Sequence, residues 1–324
     1  MRKRKDEESE GVVNLSTSAS PPLQFFSSGC TPLDLALGGG YPLGRISNIV
    51  GDKSTGKTLL AIEACANFAI TFPDGEIYYH ETEAAFDDDY ARRLGMPIER
   101  ITFLRDIRTV EDTFDAMVDV LKQSKKALWI TDSLDAISDK EEMKRRIDEG
   151  TYGGNKPKKM SEMFRRIAKD IEFSQMHFMI ISQLRDKIGV TFGRKSERSG
   201  GRALDFYASQ VLWLAELGKR KKTINKVERE VGLNVRAKCD KNKVSTPFRE
   251  CDISILFGYG IDDVTSCLEW LKDVGRLEEA GIGKSIGIDN IDMDKEMAQK
   301  IKTTTAQIWM EIEDSFKPKV GKYI

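Results

Sequence analysis

The sequence predicts an α/β fold in which a mostly parallel sheet carries crossover helices and is extended at one edge by antiparallel strands. Three observations predict it. Apolar runs of strand length alternate with amphipathic stretches of helix length from about residue 25 onward. After Leu217 strands follow one another without helices between them. A glycine-rich turn, Gly51-Asp52-Lys53-Ser54-Thr55-Gly56-Lys57-Thr58, joins an apolar run to a helical one.

The elements are read in order. Residues 1–24 are charged, then rich in Ser, Thr and Pro; such a composition buries little apolar surface and reads as a flexible arm. Strands are expected at 46–50, 76–81, 127–131, 177–182 and 211–214, the pattern of a parallel sheet. Helices are expected at 58–72, 110–122 and 161–175; in the last, Met163, Ile167, Ile171 and Ser174 share a face. Strands at 232–239 and 248–257, joined through Lys241-Asn242-Lys243 and Pro247, form the antiparallel extension. Cys267, Leu268, Leu271, Ile301, Ile308, Ile312 and Phe316 recur at helical spacing near the end. The expected organisation is therefore an arm at 1–24, a core at 25–258 and a small α-rich domain at 259–324.

At 324 residues and 40% hydrophobic the chain can bury one substantial core with small appendages. A net charge of −1 argues against a histone-like or an acidic solvating protein. The charge is unevenly spread. Residues 219–249 hold eleven Lys or Arg against three acids, whereas 262–314 hold thirteen acids against six bases. The five cysteines are scattered without a CxxC pair and there are two histidines, so neither disulfides nor a zinc site is expected. No apolar run approaches the roughly 18 residues a membrane span needs. The basic start, Met1-Arg2-Lys3-Arg4-Lys5, is followed by acids rather than an apolar signal region. A soluble, cytoplasmic protein with no membrane partner is expected.

The 51–58 turn fits GxxxxGK[ST] in the context that motif needs. Its glycines let the backbone wrap phosphate, turning N–H groups and a helix N-terminus toward the anion. Lys57 adds charge at the β- and γ-phosphates, and the Thr58 hydroxyl can ligate magnesium. A carboxylate from another strand end completes such a metal site, and Asp132, after 127–131, is the candidate; a helix-capping aspartate would occupy the same position. Hydrolysis also needs a carboxylate for water, and Glu81 and Glu83 both qualify. Gln183, just past the apolar run 178–181, is at a strand end suited to sensing the γ-phosphate.

Other stretches go beyond a generic phosphate loop. Ser182-Gln183-Leu184-Arg185-Asp186-Lys187-Ile188-Gly189-Val190-Thr191-Phe192-Gly193, then Gly200-Gly201-Arg202-Ala203-Leu204-Asp205-Phe206-Tyr207-Ala208-Ser209, resembles the RecA family of DNA recombinases. Phe86-Asp87-Asp88-Asp89-Tyr90-Ala91-Arg92-Arg93-Leu94-Gly95 does so too, and the similarity spans roughly residues 28–260. The resemblance implies a RecA-like core using ATP and Mg2+. It puts the catalytic glutamate at Glu83, adenine contacts at Asp87 and Tyr90, and at Gln183 the link from γ-phosphate to the following DNA loop. It also implies that Lys241 and Lys243 reach a neighbour's ATP in a helical filament. Read alone, that lysine pair would be a solvated turn. Asp205 and Arg202 depart from the family's usual lysine and asparagine, and in place of the family's long N-terminal helix residues 11–15 suggest a short added strand.

Two segments read as DNA loops. The first, 146–159, lies between expected helices and carries Arg146, Lys156, Lys158 and Lys159. The second, 185–202, carries Arg185, Lys187, Arg194, Lys195, Arg198 and Arg202 around Gly200 and Gly201, with Ile188, Val190 and Phe192 interleaved. Such bases bind phosphates with little sequence preference, and apolar side chains wedge between base groups. The resemblance thus implies a DNA-dependent ATPase that coats single-stranded DNA and exchanges it with a homologous duplex. Two alternatives share the motifs: a ring-forming translocase or helicase on the same core, and a DNA-coating regulator that binds ATP without turnover.

Overall fold

The computed structural model describes residues 22–83, 86–123, 125–146, 155–186, 196–198, 201–283 and 294–320; at 185–186, 196–198 and 201–202 it describes the backbone. Residues 1–21, including the expected strand at 11–15, lie outside the described residues. The chain runs β1 (Phe25–Phe26), α1 (Thr31–Leu37), β2 (Tyr41–Pro42), β3 (Ile46–Gly51), α2 (Lys57–Thr71), β4 (Glu76–Glu81), α3 (Asp88–Arg93), β5 (Ile101–Phe103), α4 (Val110–Lys122), β6 (Ala127–Asp132) and α5 (Lys140–Lys144). It continues through α6 (Asn155–Phe173), β7 (Met176–Asp186), β8 (Ser196–Arg198), α7 (Gly201–Tyr207), β9 (Gln210–Ile224), β10 (Val227–Asn242), β11 (Arg249–Leu256), β12 (Gly260–Ile261), α8 (Asp263–Asp273) and α9 (Lys295–Ser315).

Among the described residues the main sheet has the order β12-β11-β10-β9-β3-β7-β6-β4-β5, with β8 paired to β7 off that path. From β9 to β5 every neighbour is parallel, while β10, β11 and β12 add antiparallel. The α/β class with an antiparallel extension is thus what the chain adopts. Strand alternation separates two cores. Ile49, Leu128, Ile130, Met179 and Ile181 pack with α1 and α2 on one face. Ile46, Val50, Trp129, Phe178 and Ile180 pack with α4 and α6 on the other. Trp129 is fully buried, stacked on Tyr78 with its indole N–H on Thr131 Oγ1 at 3.2 Å, which satisfies its one polar atom.

Four expectations are corrected. The segment 146–159 is not a loop throughout: α6 begins at Asn155, so Lys156, Lys158 and Lys159 lie in its first turns. Pro157 is tolerated there because first-turn amides lack helical partners, and Met160 and Met163 already face the core. The strands expected at 211–214 and 232–239 run on as β9 and β10 into a long hairpin, because cross-strand pairing continues where apolar alternation stops. Phe316, grouped with the buried helical positions, caps α9 and is 78% exposed. Strand β7 also outruns its expected end at 182 and reaches Asp186.

Helices α8 and α9 pack around Cys267, Leu268, Leu271, Ile301 and Ile308. Trp309 joins the main core instead, and Arg249 forks onto both carboxylate oxygens of Glu313 at 2.6 and 2.5 Å. Among the described residues no helix is long and apolar enough to cross a membrane.

Candidate active site

The site is assembled at the carboxyl ends of four adjacent parallel strands, β3, β7, β6 and β4. Gly51 closes β3 and pairs in register with Gln183 of β7; Asp132 closes β6 opposite Glu81 of β4. Regular pairing therefore brings residues about 130 positions apart to one edge.

The turn from Gly51 to Gly56 is a backbone cradle. A Cβ on Gly51 would lie 2.6 Å from Thr55 Oγ1 and 2.9 Å from Leu214 O, so only glycine fits. Gly56, at φ +84, is the N-cap of α2 in the left-handed region and has no side chain with which to cap the helix. Ser54 at φ 61 completes the curl. Thr55 Oγ1 donates to Asp52 O at 2.9 Å and pins the loop from inside. The first amides of this 15-residue helix thus lack a side-chain cap, the arrangement that receives phosphate. Lys53 is exposed on the outer side of the turn.

Lys57 is 8% exposed and its ammonium donates to Asp52 O at 2.5 Å. Burial pushes its pKa down, and Asp132, Glu83, Asp52 and Asp135 oppose that. The ammonium thus sits among carboxylates, able to move onto a phosphate. Asp132 accepts from the Thr58 hydroxyl at 2.9 Å and from Tyr79 at 2.8 Å, both on Oδ2. Burial and Glu83 raise its pKa while those hydroxyls and Lys57 lower it, burial being the largest influence. Thr58 and Asp132 are hard oxygen donors in contact, a donor set that fits Mg2+, as the cradle fits a triphosphate.

Glu81 and Glu83 diverge. Glu81 is buried, with Arg105 Nε 3.9 Å away. Glu83 is exposed, and its Oε1 accepts from Ser133 Oγ and from Gln183 Nε2, each at 2.7 Å. The amide N–H of Gln183 donates to Asp135 Oδ2 at 3.0 Å. Tyr79, Ser133 and Asp135 were missed by sequence reasoning. Tyr79 sat in an apolar strand run and looked like core; the other two follow Asp132 and were legible only as a polar strand end.

Asp87 caps α3, accepting from Tyr90 N at 2.8 Å. Tyr90 packs partly on the main core, with the Arg93 guanidinium 5.8 Å from its ring centre. Lys241 and Lys243 lie far from Gly51. They grip the C-terminus of α7: Lys241 Nζ donates to Asp205 O and to Phe206 O, and Lys243 Nζ to Phe206 O at 3.0 Å.

Of the expected DNA contacts, Arg146 and Lys158 are exposed. Lys156 Nζ donates to Asp135 O at 2.9 Å and Lys159 lies 3.7 Å from Glu111. Arg185 is in β7, Arg198 in β8, and Gly201 and Arg202 open α7. Lys187, Ile188, Val190, Phe192, Arg194, Lys195 and Gly200 lie outside the described residues.

The model of the RecA N-terminal domain matches residues 3–262. A Protein RecA of Corynebacterium efficiens is 32% identical over 311 residues, 96% of this chain and 78% of its own length. Protein RecA of Streptomyces venezuelae is 31% identical, covering 96% of this chain and 80% of its own. Protein RecA of Streptococcus thermophilus is 32% identical, covering 96% and 81%. With the phosphate cradle, the strand order and these identities agreeing along most of its length, the chain belongs to the RecA family.

Proposed function

We propose that the chain is a DNA-dependent ATPase that forms a helical filament on single-stranded DNA and exchanges that strand with a homologous duplex in recombination and repair. The observation that carries this reading is the separation of two half-sites on one sheet. The cradle, Asp132, Glu83 and Gln183 sit at the carboxyl ends of the parallel strands. Lys241 and Asn242 pair with Val211 and Gln210 at the amino end of β9, level with Asn48 and Ser47 rather than Gly51. Three residues of strand separate the Lys241 level from Gly51, on the order of 10 Å along the strands. That separation supports the reading that the lysines serve a nucleotide of another copy rather than their own. In an assembly each triphosphate would be clasped by a cradle and by the neighbour's cations, which neutralise charge as the transition state forms.

Bound ATP with Mg2+ would supply the phosphoryl bond to be cleaved. Lys57 and the first amides of α2 would hold and orient the phosphates, and Thr58 and Asp132 would hold the ion. Glu83 positions a water and accepts its proton, with Ser133 and Gln183 fixing the carboxylate. Gln183 also lies on β7, which leads straight toward the expected second DNA loop. The Glu83–Gln183 bond is thus a short path by which nucleotide state and grip on DNA are coupled. In the same proposal 25–258 is the motor, 259–324 a small appended domain and 1–24 an arm.

Strand exchange tests the reading. With ATP, Mg2+ and a single strand, the protein should transfer a homologous duplex strand and leave a heterologous duplex intact. Translocation or unwinding of both duplexes alike would point to a ring motor and remove the proposal.

A further inference from the structure

The basic excess of residues 219–249 has a definite shape. Among the described residues, β9 beyond Gly218 and β10 before Val231 pair only with each other, since β11 joins β10 from Gly232 to Cys239 and Phe257 N donates to Val231 O at 2.9 Å. The ten residues from Lys221 to Glu230 are all exposed, so this ribbon stands clear of both cores. It closes through Asn225 and Lys226, at φ 48 and 64, a tight two-residue hairpin turn. Six bases and two acids lie between Lys219 and Glu230. A two-stranded ribbon is marginal on its own and gains order by lying against a partner.

The two faces of the ribbon differ. On one, Lys219 pairs with Glu230 and Lys221 with Glu228, each at 2.9 Å, so the charge is neutralised. On the other, Lys222 stands directly opposite Arg229 and Ile224 directly opposite Val227. Like charges facing each other across strands are unfavourable. Lys222 and Arg229 have no carboxylate partner among the described residues; Arg229 NH1 donates to the Glu228 carbonyl at 2.9 Å. Ile224 and Val227 are 60% and 47% exposed at the tip, with Lys226 beside them. Cations without acids, flanking a small apolar tip, match a polyanion whose charges border an apolar surface.

We propose that this ribbon is a duplex-DNA contact, with Lys222, Lys226 and Arg229 on phosphates and the Ile224–Val227 tip against base edges in a groove. A two-stranded ribbon fits the width of the major groove, where apolar side chains can lie against the methyl groups on base edges. The inference rests on the reading of the chain as a DNA-working ATPase and adds to it a surface separate from both expected loops.

The test uses the full chain and a Lys222→Ala/Arg229→Ala double variant. Binding of a short fluorescent duplex is followed by anisotropy against salt, beside ATP turnover stimulated by single-stranded DNA. Each lost phosphate contact removes about one from the slope of log affinity against log salt, so the variant's slope should be shallower by about two. Single-strand-stimulated turnover should be unchanged. A Lys219→Ala/Lys221→Ala variant removes the same charge from the neutralised face and should keep the parent slope. Equal slopes for the parent and the Lys222/Arg229 variant overturn the inference, as does an equal loss from both faces. Binding of fluorescent poly-glutamate by the parent that is lost in the Lys222/Arg229 variant, with duplex affinity intact in that variant, overturns it in favour of an acidic protein. Absence of single-strand-stimulated turnover in the parent would instead fail the functional reading itself.

Discussion

Glu63 offers a perturbation whose sign and size follow from its surroundings. It lies on α2, the helix that begins at the phosphate cradle, and its Oε1 accepts from Ile261 N of β12 at 3.1 Å. Burial pushes its carboxyl from 4.5 up to about 7, against the pull of that amide. A raised carboxyl pKa means that the folded state holds the proton more tightly than the unfolded chain. Stability is therefore lost as pH climbs from about 4.5 through about 7, where the folded protein must ionise a half-buried group. A displacement of that size is at most about 3–4 kcal/mol, and solvent screening of a partly exposed carboxylate lowers it to about 1–2 kcal/mol. Glu63→Gln keeps an oxygen for Ile261 N and removes the charge. Urea denaturation at pH 4 and pH 8 should give nearly equal stabilities for parent and variant at the lower pH, which lies below the unfolded carboxyl's 4.5. At the higher pH the variant should be more stable by about 1–2 kcal/mol. Parallel pH profiles for the two proteins would refute the assignment.

Three further outcomes are expected. Glu83→Ala should bind ATP and keep its assemblies while turnover falls by about 10²–10⁴-fold, as expected for loss of a general base; a normal hydrolysis rate would reassign the base. Lys241→Ala should retain nucleotide binding by single protomers, read by fluorescent-nucleotide titration, and lose DNA-stimulated turnover. Because this lysine also holds the end of α7, a Lys241→Arg variant should keep that contact and separate the two roles. Gly51→Ala should destabilise the fold by about 1–3 kcal/mol through overpacking against Thr55 and Leu214, seen as a lower urea midpoint.

Much of this was legible because the periodicities are clean. The strands β3, β4, β6 and β7 are apolar runs between turn residues, and α4 was delimited at both ends, Thr109 capping its start. The cradle announces itself because its chemistry demands glycine, lysine and threonine at fixed spacing. What stayed hidden has physical reasons. The ribbon of β9 and β10 is exposed on both faces, so pairing there leaves no apolar alternation. The start of α6 was lost in a lysine-rich stretch whose buried positions, Met160 and Met163, begin late. Glu83 was separable from Glu81 by family resemblance but not by pattern, since both follow one strand; Arg105 and Gln183 draw them apart in space. Tyr79 was hidden because its ring belongs to the core while its hydroxyl belongs to the site.

That triphosphate is clasped between copies of the chain is tested most directly by imaging. Purified protein with ATP, Mg2+ and an unpaired oligonucleotide, all in excess, is examined by electron microscopy. Extended helical filaments that fall apart when ADP replaces ATP are the expected result. Solitary protomers or closed rings under the same conditions would contradict it.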